Sequence, residues 1–167
     1  EDWKLKSTEE LLDLKICDPA MGSGAFLVQV CRWLGERVVE AWNASESEGK
    51  AVTDEGLVKH ALEGDDDPAP KDADGRDLLA RSLVAERCIY GVDKNPLAVE
   101  LARLSIWLVT LSKGRPFAFL DHNLRSGDSL LGIHRLEDLT SMSMTPEQAT
   151  RRPRLFGEQV TDAVNEA

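Results

Sequence analysis

Apolar residues recur along this chain with a period that changes from segment to segment, and the changes mark the elements. Leu14-Lys15-Ile16-Cys17 is a short apolar run ended by Asp18-Pro19 and predicts a strand. Just upstream, Ser7 with Glu10 makes the Ser-x-x-Glu pattern of a capping box and predicts a short helical turn. Beyond Gly22-Ser23-Gly24, residues Phe26, Leu27, Val30, Leu34 and Val38 recur at helical spacing, predicting a helix from Ala25 to Trp42. Leu78, Leu79, Leu83 and Val84 predict a further helix from near Arg76. Cys88 to Asp93 predicts a second strand ending in a carboxylate. Asn95 and Pro96 then supply an N-cap and a first helical residue. Leu97, Leu101, Leu104, Leu108 and Leu111 lay one apolar stripe along that helix, widened by Ile106, Trp107 and Val109. The pattern predicts a well-buried helix ending near Gly114. Phe117 to Leu120 predicts a third strand, and residues 123–131 a loop containing Gly127-Asp128-Ser129-Leu130.

Residues 43–75 break the alternation. Their acidic, Gly- and Pro-rich run around Asp65-Asp66-Asp67-Pro68 buries little apolar surface to offset its ordering entropy. A mobile, solvated insertion is expected, with a short helix around Gly56 to Leu62. Beyond Gly132 the chain is polar, with Pro146 and Pro153, and short helices at most are expected. Strand, glycine loop and helix in succession open a nucleotide-binding α/β unit. The expected fold is therefore an α/β sheet of parallel strands with flanking helices, the second strand lying between the first and third. Residues 1–140 would form this domain and 141–167 a polar tail. The outer edge of the first strand is expected to be exposed, which invites self-association.

Composition narrows the function. The chain has 167 residues and a net charge of −10. Such a surface repels phosphate, so any groove for DNA is expected outside these residues. Cys17, Cys31 and Cys88 are an odd, widely spaced set, giving neither a disulfide framework nor paired zinc ligands and suggesting a reducing cytoplasm. No apolar run approaches the ~20 residues of a membrane span, so no membrane partner is expected. The first residues, Glu1-Asp2-Trp3-Lys4, carry no signal-peptide pattern and no initiator Met, so the chain is expected to be a piece of a longer protein. Trp33, Trp42 and Trp107 lie on helical patterns and are expected in or beside the core. Asp121-His122 lacks companion ligands, and no metal site is expected.

Asp18, Asp93 and Asp128 each follow a predicted strand, at the sheet end where an open parallel sheet binds its ligand. Gly22 and Gly24 allow a ligand to approach the backbone closely. A carboxylate after the second strand suits ribose hydroxyls, and one after the third can accept from a base amine. Together they describe an adenosine-containing cofactor. Leu27 stands where a dinucleotide fingerprint needs its third glycine, and no phosphate-loop pattern occurs. A phosphate-free cofactor also tolerates Asp18 beside the loop, since a carboxylate can face a cationic amine. This points to S-adenosylmethionine over NAD or ATP.

Asp18-Pro19-Ala20-Met21-Gly22-Ser23-Gly24-Ala25-Phe26-Leu27 resembles motif I of the amino-group DNA methyltransferases. Residues 91–102, from Gly91-Val92-Asp93-Lys94-Asn95-Pro96 to Ala102, resemble motif II, particularly of type IIG restriction–modification and phage-exclusion enzymes. Residues 120–130, ending in Gly127-Asp128-Ser129-Leu130, resemble their motif III region. The resemblance implies a partial class I methyltransferase sheet and the methyl-donor half of a DNA adenine-N6 methyltransferase. Asp18 would then sit near the methionine amino group, in a cofactor-binding run with Pro19 and Ala20, and Gly22 and Gly24 would line the amino-acid tail. Asp93 would bind the ribose, Lys94 would flank the adenine, and Asp128 would accept from its amine beside Ser129, with Leu130 over the ring. Met21 stands where the family commonly has cysteine, an apolar exchange the site should tolerate. The family's Asn/Asp-Pro-Pro-Tyr/Phe run, which holds the flipped target base, is absent, so no catalytic residue is expected here. Two rival readings are a Rossmann-type oxidoreductase domain and a non-catalytic interaction module that kept the fold without the ligand.

Overall fold

The computed structural model describes residues 5–110 and 120–130. The chain divides into two units, Glu1–Ser129 and Leu130–Ala167. All the elements below belong to the first, and the boundary expected at 140 lies outside the described residues.

The chain opens with α1 (Thr8–Leu12), where the Ser7–Glu10 capping box forms as expected. Next come β1 (Ile16–Asp18) and α2 (Ala25–Ser47), then an antiparallel hairpin of β2 (Ala51–Val52) and β3 (Val58–Lys59). Helix α3 (Ala73–Arg87) leads into β4 (Ile89–Asp93), α4 (Pro96–Thr110) and β5 (Leu124–Ser126). Strands β1, β4 and β5 form one parallel sheet with β4 in the middle. The expected α/β architecture and strand order are therefore present, and among the described residues the outer edge of β1 is unpaired.

The core lies where α2, α3 and α4 pack on one another and on β4, with Leu27, Leu34, Val38, Trp42, Val84, Ile89 and Ile106 fully buried. Cys31 and Cys88 are buried within it and Cys17 is exposed, and all three thiols are free. Burial pushes the Cys31 thiol up to about 12 and the Cys88 thiol up to about 11. Both therefore stay protonated at neutral pH and are poor nucleophiles.

Three local expectations are corrected. The region from 43 to 75 is not a loose insertion around a short helix: α2 runs on to Ser47, and a hairpin stands where the helix was expected. Long-range bonds hold it. The Trp42 indole N–H donates to the Gly56 carbonyl (3.3 Å), the Ala69 N–H donates to the Val52 carbonyl (2.9 Å), and Val52 and Ala69 are buried. The acidic run is used as well: Asp66 takes Lys59 on both oxygens at 2.7 and 2.8 Å, and Asp72 caps α3 by accepting from the Gly75 N–H. Burying a few residues and satisfying charges in this way offsets an entropy that composition alone makes look prohibitive.

The third strand is Leu124–Ser126, after a turn beginning at Leu120; residues 117–119 and the helix end expected near Gly114 lie outside the described residues. The Gly91 N–H donates to the Asn123 carbonyl at 3.0 Å, setting that register.

On α4 the leucine stripe is the outer face. Leu97, Leu101, Leu104 and Leu108 are 67, 47, 42 and 53% exposed, while Val99, Ala102, Ile106 and Thr110 are buried. The cause is a close approach: a Cβ on Gly24 would stand 3.0 Å from the Ala102 Cβ, a contact that leaves no room for leucine at that position. Trp33 (57% exposed) and Phe26 (55%) also face outward, whereas Trp42 is in the core as expected. The assignment has a direct check in urea denaturation. Ile106→Ala should cost about 2–5 kcal/mol, as large-to-small core changes do. Leu101→Ala should stay within about 1 kcal/mol, as surface changes do.

Candidate functional site

Three loops leave the carboxyl ends of β1, β4 and β5, and hydrogen bonds join each to the next. From the first, the Gly22 N–H donates to the Asp93 Oδ2 at 2.9 Å and the Met21 N–H donates to the Val92 carbonyl at 3.1 Å. From the third, the Gly127 N–H donates to the Asp93 carbonyl at 3.0 Å. The ring closes where the Ser129 hydroxyl donates to the Pro19 carbonyl at 2.8 Å, and Lys94 Nζ meets Asp128 Oδ2 at 3.0 Å. Asp18, Asp93 and Asp128, far apart in sequence, thus stand on loops of one connected sheet end.

The glycine loop has a local cause. The Asp18 Oδ1 accepts from the Ala20 N–H at 3.0 Å, an Asx-type turn that starts the reversal after β1. Gly22 and Gly24 both take positive φ, +54° and +78°. The Gly24 N–H donates to the Met21 carbonyl at 2.8 Å, which tightens the turn. Gly24 is the N-cap of α2 and supplies no side chain to its first amides. A Cβ built on Gly22 meets nothing within 4 Å, so the backbone beside Asp93 faces open space.

Asp93 is the hub. Its Oδ1 accepts from the Asn95 N–H at 2.8 Å while Oδ2 holds Gly22. These amides, Asn95 first and Gly22 second, hold its carboxyl below the usual carboxylate range. Each carboxylate oxygen has a second acceptor site, so the group can hold its own loops and still accept from a ligand hydroxyl. Asn95 caps α4 as expected, its Oδ1 accepting from the Leu97 N–H at 3.0 Å.

Asp18, Pro19, Ala20, Gly22, Gly24, Asp93, Lys94, Asp128 and Ser129 all lie on this connected end. Leu130, expected over the adenine, is exposed and falls in the second unit. The sequence reading missed three contributors. The Asn95 amide grips Asp93, a contact signalled by the Asp-x-Asn spacing of an Asx turn. The Gly127 amide ties β5 to β4. Gly91 is needed inside β4 because a Cβ there would strike Met21 and stand 2.9 Å from Leu27. Glycine in a strand is the signal for such an approach.

A recess of about 490 Å³ lies at the other end of the sheet, beside Lys15 before β1 and Arg87 before β4. Its rim mixes Glu9, Glu10 and Asp13 with those two cations, and Lys15 is spent on the Arg87 carbonyl at 2.9 Å. A parallel sheet binds its ligand at its carboxyl ends, and this recess lacks the glycine loop. Among the described residues no group of three or more His, Cys, Asp or Glu could hold a metal, and no helix is long and apolar enough to cross a membrane. No protein-family model, no curated protein and no solved structure matches the chain.

Proposed function

We propose that this chain is the S-adenosylmethionine-binding part of a DNA adenine-N6 methyltransferase of a restriction–modification or phage-defence system, built on a class I methyltransferase sheet. The observation that carries the reading is the Asp93 carboxylate, bonded to the amide of Gly22 at a sheet end whose neighbouring strand leads to Asp128. The residues fit the donor's parts. Asp93 offers acceptors to vicinal ribose hydroxyls, the open backbone at Gly22 admits an amino-acid tail, and Asp18 suits its ammonium. The uncapped first turn of α2 suits the tail's carboxylate, because helix N-termini favour anions.

When bound, the donor would supply a methyl group on a sulfonium sulfur. The chain's own contribution is position: it fixes the adenosine through Asp93 and Asp128 and the tail through the glycine loop, leaving the methyl presented to the acceptor. The sequence contains no Asn/Asp-Pro-Pro-Tyr/Phe run, so the acceptor amine would be held by other residues and the chain by itself is expected to transfer no methyl group. With a net charge of −10, contact with DNA likewise falls to surfaces beyond this one.

Titration calorimetry tests the reading. Saturable binding of S-adenosylhomocysteine, with no heat from NAD, is the expected result. Binding of NAD alone would favour an oxidoreductase domain, and silence to both would favour an interaction module.

A further inference from the structure

We propose that Lys94 is a positioning residue for adenine recognition, holding the Asp128 carboxylate in place to receive the base's exocyclic amine. The inference rests on the methyl-donor reading above and adds a residue that selects between bases. Lys94 Nζ lies 3.0 Å from Asp128 Oδ2. The backbone carrying this lysine is fixed on both sides: the preceding Asp93 carboxylate is bonded to the Gly22 and Asn95 amides, and the following Asn95 caps α4. Asp128 lies in a Gly-Asp-Ser segment beyond the end of β5, where the Ser129 hydroxyl donates to the Pro19 carbonyl at 2.8 Å. Gly127 brings that segment to β4 through the Asp93 carbonyl, and Lys94 reaches across to the Asp128 carboxylate.

Charge gives the pairing a purpose. Asp18, Asp93 and Asp128 share one sheet end, and like carboxylates push one another apart. The Lys94 ammonium supplies Asp128 with a counter-charge at this acidic end. The lysine side chain is 80% exposed and the aspartate 26%. An ion pair so exposed contributes little to folding. Its consequence should therefore appear in which ligand is selected and leave thermal stability nearly unchanged.

The test compares S-adenosylhomocysteine with S-inosylhomocysteine, which carries a 6-oxo group in place of the 6-amino group, by calorimetry on the whole chain. A charge-assisted hydrogen bond to the amine predicts a preference of about tenfold or more for the amino ligand in the unaltered protein. Lys94→Met should lower affinity for S-adenosylhomocysteine by about three- to tenfold and leave S-inosylhomocysteine unchanged, collapsing the preference at constant melting temperature. Lys94→Arg, which keeps the charge, should restore most of it. Equal losses for both ligands would overturn the inference by showing a general effect on the pocket. So would unchanged binding of the amino ligand, or a gain in its affinity, which would make the lysine a competitor for Asp128. Equal binding of both ligands by the unaltered chain would overturn the inference while leaving the methyl-donor reading intact. Failure of that chain to bind either would overturn both.

Discussion

Replacing Asp93 by alanine is expected to lower S-adenosylhomocysteine affinity by more than about 100-fold, because several hydrogen bonds to one charged group disappear together. The substitution removes the ribose acceptors proposed for this residue and also frees the Gly22 amide, whose bond to Oδ2 joins the glycine loop to β4. Asp93→Asn separates the two effects. An amide has one oxygen, so it can serve Gly22 or Asn95 but has a donor where the other needs an acceptor, and an intermediate loss of about tenfold is expected. Calorimetry on the three proteins, with circular dichroism as a check on folding, decides it. Undiminished binding by the folded alanine variant would remove the methyl-donor reading.

The same residue sets a pH expectation. Its folded-state carboxyl lies below its ordinary value, so the stabilising bonds are fully present above the unfolded value of about 3.9 and are lost as pH falls through the lower folded value. Cofactor binding should therefore show no contribution from Asp93 titration between about pH 5 and 8, and should fall only in strong acid.

A loss of stability as large as that of a core truncation is expected at Gly24. Alanine there must adopt φ +78° and place its Cβ 3.0 Å from the Ala102 Cβ and 3.2 Å from the Ala102 Cα. Left-handed strain of about 1–2 kcal/mol and an overpacking cost of about 1–3 kcal/mol combine to about 2–5 kcal/mol. Urea denaturation should register that loss. Gly22→Ala makes a sharp contrast: φ is again positive, at +54°, but the new Cβ meets nothing within 4 Å. Its stability cost should be the strain alone, while the added methyl enters the open space beside Asp93 and weakens ligand binding. A Gly24 variant as stable as the parent would mean that α2 and α4 do not meet at Ala102.

Much of the site was legible because its chemistry is local. A strand, a run of Gly22-Ser23-Gly24 and a helix can be read from period and composition, and an aspartate at a strand end needs no partner to be noticed. What could not be read was how each carboxylate is occupied. The grip of Asp93 on Gly22 spans most of the described chain, and the bond from Ser129 to Pro19 spans more. No period along the sequence encodes contacts of that length.

The sequence by itself determined the parallel α/β plan, the caps of α1 and α4, and the placing of the glycine loop and its carboxylates, since these follow from spacing and short-range hydrogen bonding. The tertiary structure alone decided which face of α4 is inside. Two apolar faces were available, and the approach of α2 at Gly24 admits Ala102 where a leucine would not fit. It also decided that the stretch after α2 folds as a hairpin, because Trp42 of α2 bonds the Gly56 carbonyl while Lys59 and Val52, within the stretch, pair with Asp66 and Ala69.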